Sequence, residues 1–153
     1  EISIYFNVFK SEDHDLFIDM ADIRTCNLTL NKNLYSLSNC WNRHIADSTT
    51  PYVILCSEDI VFQDSQVFEK VLKKHEEGFH MVHLSESLSC TSVSKELIKK
   101  VGWFDENFPH SWEDIDYCFR MGNAKMESYK FEPYLVRHLR SGGGNNQKEY
   151  WRK

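Results

Sequence analysis

Apolar and polar residues follow two rhythms along the chain, and the switches between them mark the expected elements. Ile2 to Phe9 is dense in β-branched and aromatic residues and predicts a buried strand. Ser11, Glu12 and Asp13 offer helix caps ahead of Leu16, Phe17 and Met20, which recur at helical spacing. Cys26 to Leu30 alternates apolar with polar residues, as a short strand does, and runs into the turn Asn31-Lys32-Asn33. Leu34 to Ala46 predicts a helix despite its serines and asparagines. Tyr52 to Cys56 is the clearest strand, a continuous apolar run behind Pro51 of the kind buried on both faces in parallel sheets. Ser65 predicts the cap of a helix that carries Val67, Phe68, Val71 and Leu72 on one side and stops at Gly78. A strand over Phe79 to Leu84 leads through a polar patch to an amphipathic run, Lys95 to Lys100, closed by Gly102. Ser111 then stands as an N-cap with Asp114 three residues on, and Ile115, Cys118 and Phe119 share one face of the helix that follows. Tyr134 to His138 predicts a last strand. This alternation of strand and helix implies an α/β sandwich with a mainly parallel central sheet.

Length and composition narrow the class. The 153 residues suit one domain that buries most of its apolar surface and are short for two. Aromatic residues make up 14% of the chain, enough for stacking against ligand rings as well as for core packing. A net charge of −5, with basic residues scattered except near the C-terminus, argues against nucleic acid as a partner. No apolar run reaches membrane-spanning length, and the first residues lack the pattern of a signal peptide. The five cysteines are odd in number and form no C-x-x-C pair. Reduced core thiols in a cytoplasmic compartment are the expectation, which leaves Asn27-Leu28-Thr29 an unused glycosylation triplet.

Three stretches carry candidate chemistry. Ser57-Glu58-Asp59 directly follows the most apolar strand, and ligands of α/β sheets bind beyond the carboxyl ends of strands. Its alternative reading is a solvated turn. Glu113 and Asp114 fall in a first helical turn, where the positive end of the helix favours ionised carboxylates able to accept a proton. The alternative is that Asp114 only completes a capping box with Ser111. Trp103, Phe104, Phe108 and Trp112 are either core or the wall of a ligand cleft. At the C-terminal end, Gly142-Gly143-Gly144 with Asn145 and Asn146 reads as a mobile loop. Arg137, Arg140, Lys148, Arg152 and Lys153 surround it. It is either a lid over an anionic ligand or a frayed tail.

Gly102-Trp103-Phe104-Asp105-Glu106-Asn107-Phe108, followed by W-E-D-I-D-Y-C-F-R-M over residues 112–121, resembles the acceptor-side motif of family 2 glycosyltransferases with the GT-A fold. That motif is written G-G-F-D-E-x-F … E-D-x-D-L-x-x-R, and Trp103 stands at its second glycine. Ser57-Glu58-Asp59 lies where the family carries D-x-D, with Ser57 in place of the first aspartate. Asn42-Arg43 resembles part of the A-R-N-x-G segment, with Trp41 where arginine is usual. Ile2 to Asn7 with Ser11 and Asp13 is similar to V-D-N-G-S-x-D of the family's second strand, so the family's first strand is absent here, through truncation or reduction.

The resemblance implies a three-layer α/β/α GT-A domain over residues 1–153, with a donor-binding part at about 1–60, an acceptor part at about 79–140 and a mobile loop at about 141–153. It implies an inverting transfer from a UDP- or GDP-type sugar to a hydroxyl acceptor, a glycan above all. Asp114 is then the base, with Glu113 beside it, and Asp59 and His138 hold Mn²⁺ or Mg²⁺. Asn7, Asn42, Arg43, Ser57, Glu58, Arg140 and Ser141 contact the donor, and Trp103 and Trp112 the acceptor. Two other functions stay open. A nucleotidyltransferase would need a basic glycine-rich loop near the N-terminus, and none is visible; the incomplete D-x-D and missing first strand suit a non-catalytic sugar- or nucleotide-binding module.

Overall fold

The computed structural model describes residues 4–8, 26–30, 36–57, 60–86, 88–108 and 112–138. The chain is organised in two compact units, one formed by Glu1–Thr50 with Val101–Arg120 and the other by Pro51–Lys100 with Met121–Lys153. The helix expected after Ser11, the Ser111 cap and the glycine-rich loop lie outside the described residues.

In the first unit β1 (Ile4–Val8) pairs in parallel with β2 (Cys26–Leu30), Asn7 standing opposite Thr29. Helix α1 (Leu37–Asp47) starts at Ser36, whose hydroxyl accepts the Asn39 N–H at 3.2 Å. Its inner face holds Cys40, Trp41 and Ile45 but also Ser38 and Asn42. Trp41 meets Phe104 edge-on at 5.0 Å, and Phe104 stacks on Tyr117 at 4.0 Å. These rings form the unit's aromatic centre.

Two further helices pass between the units along the chain. Helix α3 (Lys95–Val101) ends as expected at Gly102, whose φ of +94° is the left-handed conformation that closes a helix. Helix α4 (Glu113–Asn123) begins where expected but faces differently. Ile115 and Phe119 are 57% and 69% exposed, and the buried edge runs through Glu113, Tyr117 and Met121 at four-residue spacing. Tyr117 decides this orientation, because its ring stacks on Phe104 while its hydroxyl donates to the Gly102 carbonyl at 3.1 Å.

In the second unit α2 (Val67–Glu76) lies between two pairs of strands in sequence. Four strands form one sheet in the order β3 (Tyr52–Cys56), β6 (Cys90–Ser94), β5 (Met81–His83), β7 (Ser128–Lys130). Strands β3, β5 and β7 share one direction and β6 runs against them. The reversal follows from the short 84–89 connection, which permits only an antiparallel return. Strand β4 (Ile60–Phe62) pairs antiparallel with β8 (Val136–His138). The core joins Val67 and Val71 of α2 to Val82, Leu84, Cys90, Leu135 and Val136.

Several expectations change here. The polar patch after residue 84 contains a hairpin turn and the wholly buried strand β6. In the turn, the Ser85 hydroxyl accepts the Cys90 N–H at 2.9 Å and shares a 2.9 Å bond with Ser89. In the strand, Thr91 donates to the Val82 carbonyl at 3.1 Å, Ser92 bonds the buried His75 ring at 2.7 Å, and Ser94 caps α3 through the Leu97 N–H at 3.1 Å. The more apolar β3, expected to be buried on both faces, stands at the end of its sheet with only Leu55 fully inside. Asp64, not Ser65, secures the start of α2 by accepting the Gln66 N–H at 2.7 Å, and Phe68 and Leu72 stay exposed while His75 joins Val67 and Val71 inside. No helix among the described residues is long and apolar enough to cross a membrane.

Candidate active site

The 102–108 loop of the first unit is held by a clamp that no local signal announces. Asn42 donates to the Phe104 carbonyl and to Glu106, both at 2.9 Å, and its side-chain oxygen accepts the Phe104 N–H at 3.0 Å. Asn39 reaches Glu106 as well, at 2.7 Å. The bonds from Asn42 and Asn39 hold the Glu106 carboxyl below its ordinary range. Asp105 accepts the Asn107 backbone and side-chain N–H groups at 2.9 and 2.8 Å, which fixes the turn. Asn39 and Glu106 were not singled out from sequence, since partners 67 positions apart leave no spacing to find. Asn42, expected at the donor, has its amide engaged in this loop.

Beyond the loop, Trp112 holds φ at +77°, an uncommon conformation for a bulky side chain. Its carbonyl accepts the Asp116 N–H at 2.9 Å, so Trp112 occupies the N-cap position of α4 that was expected of Ser111. Backbone strain of this kind concentrates at functional sites. Trp112 is 64% exposed and Trp103 about half exposed, whereas Phe104 is core. Glu113 is buried to 8% exposure, and its Oε2 has no hydrogen-bond partner among the described residues. Asp114 next to it is half-buried and accepts the Ile115 N–H at 2.8 Å. A buried carboxyl oxygen left without a donor is costly, so a hydrogen-bond donor brought to it is favoured.

Arg120, the last residue of the acceptor motif, points elsewhere. It pairs with Asp116 at 2.7 Å, donates to the Val101 carbonyl at 3.1 Å, and lies over the Tyr117 ring. It therefore ties α4 to the end of α3, and Asp116 is taken up in the same contact.

In the second unit Ser57 directly follows β3 and donates its N–H to the Ser89 carbonyl at 2.7 Å. Glu58 and Asp59 lie outside the described residues, as do Arg140 and Ser141. The β4–β8 register sets His138 opposite Ile60, the residue that follows Asp59 in the chain. A carboxylate and an imidazole suit a divalent cation whose remaining positions are filled by diphosphate oxygens and water. No group of three or more potential ligands occurs among the described residues. Arg43 is exposed on α1.

No family model matches the chain, and no curated protein matches it. Solved structures do. A point mutant of Drosophila β1,4-galactosyltransferase 7, crystallised with manganese, UDP-Gal and xylobiose, superposes with a TM-score of 0.63 at 11% identity, over 99% of this chain and 79% of that one. The catalytic domain of the same enzyme with xylobiose gives 0.60 at 11% identity over the same shares. The chain thus has the α/β fold, built on a central sheet, of glycosyltransferase catalytic domains of the GT-A type.

Proposed function

We propose that the protein is a glycosyltransferase that moves a sugar from a nucleoside diphosphate donor, UDP-type before GDP-type, to a glycan hydroxyl. The observation that carries this reading is the start of α4, where a buried Glu113 with an unpartnered oxygen and a half-buried Asp114 follow a left-handed, exposed Trp112. The motif resemblance adds family 2 membership, and the neighbours' complexes with UDP-Gal and xylobiose support the choice of donor and acceptor class.

Asp114 takes the proton of the acceptor hydroxyl as that oxygen attacks the anomeric carbon, and the single displacement inverts the centre. Glu113 accepts a second acceptor hydroxyl with its open oxygen and orients the sugar, while Trp103 and Trp112 offer apolar ring faces to it. Asp59 and His138 hold the divalent ion, which when bound offsets charge on the departing diphosphate. Asn7, Arg43, Ser57, Glu58, Arg140 and Ser141 line the donor. Asn42 joins them at the donor and also shapes the 102–108 loop through Phe104 and Glu106. A reducing compartment suits the chain's cysteines, of which Cys56, Cys90 and Cys118 are free thiols.

Turnover of a panel of UDP- and GDP-sugars with Mn²⁺, in the presence of short glycans, tests the reading. Nucleotide release that depends on both acceptor and Asp114 supports it. Binding of a nucleotide sugar without any turnover would favour the non-catalytic module, a reading supported by Ser57 at the first D-x-D position.

A further inference from the structure

Strands β3 and β6 set Cys56 directly opposite Cys90, with the two sulfurs 3.2 Å apart. The next pair along is Ser57 and Ser89, joined by the bond from the Ser57 N–H to the Ser89 carbonyl. In an antiparallel ladder hydrogen-bonded and non-hydrogen-bonded pairs alternate, so Cys56 and Cys90 occupy a non-hydrogen-bonded position. Opposed Cα atoms at such positions come to about 4.5 Å, the closest approach that a sheet offers. A disulfide spans Cα separations of about 4.4 to 6.8 Å, so the backbone already stands where the bond requires it.

The two thiols are not equivalent. Cys56 is exposed, while Cys90 is wholly buried in the core with Val82, Leu84 and Val136. The contact between the two sulfurs lowers the Cys56 pKa, and that same contact together with burial pushes Cys90 far up. Cys56 is therefore the thiol that an external disulfide reaches first, and Cys90 stands behind it.

We propose that Cys56 and Cys90 form a modification site that closes reversibly to a disulfide by exchange with a low-molecular-weight disulfide. The Cys56 thiolate attacks one sulfur of the small disulfide, forms a mixed disulfide and expels one small thiolate. Cys90 then transfers its proton to that thiolate and attacks the Cys56 sulfur, which forms the Cys56–Cys90 bond and expels the second small thiolate. Two protein thiols are oxidised to one disulfide, and one small disulfide is reduced to two thiols. The site stands on the β3–β6 register alone and does not depend on the glycosyl-transfer reading.

Oxidised glutathione applied to the folded full-length chain, followed by alkylation and peptide mapping without reduction, tests the proposal. The expected product is a single cross-link between the peptides of Cys56 and Cys90, reopened by dithiothreitol. Cys90→Ala should trap glutathione on Cys56 as a stable adduct, whereas in the parent that adduct is transient. Glutathione spread over Cys26, Cys40 and Cys118 with no Cys56–Cys90 link would overturn it, as would a Cys56 adduct equally long-lived in the parent. Phenylarsine oxide, which bridges close thiol pairs, provides a check on the unmutated chain. It should shield Cys56 and Cys90 together from alkylation, and failure to shield both counts against the site even where Cys90→Ala does not fold.

Discussion

Strand β6 and the first turn of α4 both bury polar side chains, and they differ in whether those groups are satisfied. In β6 each of Thr91, Ser92 and Ser94 has a hydrogen-bond partner inside the second unit. In α4 the Glu113 carboxylate is nearly as deeply placed in the first unit, yet its Oε2 has no partner among the described residues. A satisfied buried polar group contributes to a unique fold, and an unsatisfied one marks a place where the fold awaits something else. Ser38, Asn39 and Arg120 also keep a buried polar atom without a hydrogen-bond partner among the described residues, that of Arg120 being ion-paired with Asp116, and what sets Glu113 apart is that its open oxygen belongs to a carboxyl at a helix start.

The largest effect expected from this contrast is on turnover. Asp114→Asn preserves the acceptor for the Ile115 N–H and removes the base, so stability should change by only about 0.3 to 1 kcal/mol through the lost dipole interaction. Turnover per folded molecule should fall roughly a hundredfold to ten-thousandfold. Rates near the parent's, measured by nucleotide release, would assign Asp114 to capping.

On the satisfied side the losses should appear in stability. Asn42→Ala deprives Phe104 and Glu106 of three bonds, leaves a buried N–H and carbonyl without partners, and should cost about 1 to 3 kcal/mol or somewhat more. At about 2 to 4 °C per kcal/mol for a chain of this size, thermal melting should register it clearly. A melting point unchanged from the parent would show that the clamp contributes nothing net. Ser92→Ala removes one bond to His75 and should cost about 1 kcal/mol by denaturant titration, the lower end of the same range.

Acidification should reproduce part of the Ser92→Ala loss. Burial lowers the pKa of His75, and of His44 and His83, below the ordinary 6.5. His75 is held neutral, its Nδ1–H donating to the Phe79 carbonyl and its Nε2 accepting from Ser92. Between the folded values and 6.5 the unfolded chain binds protons that the folded chain does not, so stability rises with pH across that window. It is complete above 6.5 and is lost as pH falls through the folded values. Denaturant midpoints that stay level from pH 7.5 to 5 would contradict the neutral assignment.

The smallest stability change should come from Trp103→Ala. A side chain about half exposed should move stability by no more than about 0.5 kcal/mol, while acceptor KM rises. A stability loss well beyond that would make Trp103 part of the core.

Local signals carried much of this. Strand Tyr52 to Cys56 falls where its apolar run lies, and Gly78 and Gly102 end helices through positive φ, as glycine beyond an amphipathic run requires. The carboxylates of Glu113 and Asp114 were legible in a first turn because capping and periodicity act over a few residues. The α/β alternation was legible for the same reason. What the chain could not disclose locally was which polar residues go inside. Strand β6 is buried because neighbouring strands and His75 supply partners to its hydroxyls, and those partners are distant in sequence. The face of α4 turned on a contact between Tyr117 and Phe104, Asn42 became a clamp through residues 62 and 64 positions away, and Cys56 met Cys90 only once the register was set. Periodicity reports the water-fearing surface of one element, whereas satisfaction of buried polar groups is a property of pairs, and only the tertiary structure makes the pairs.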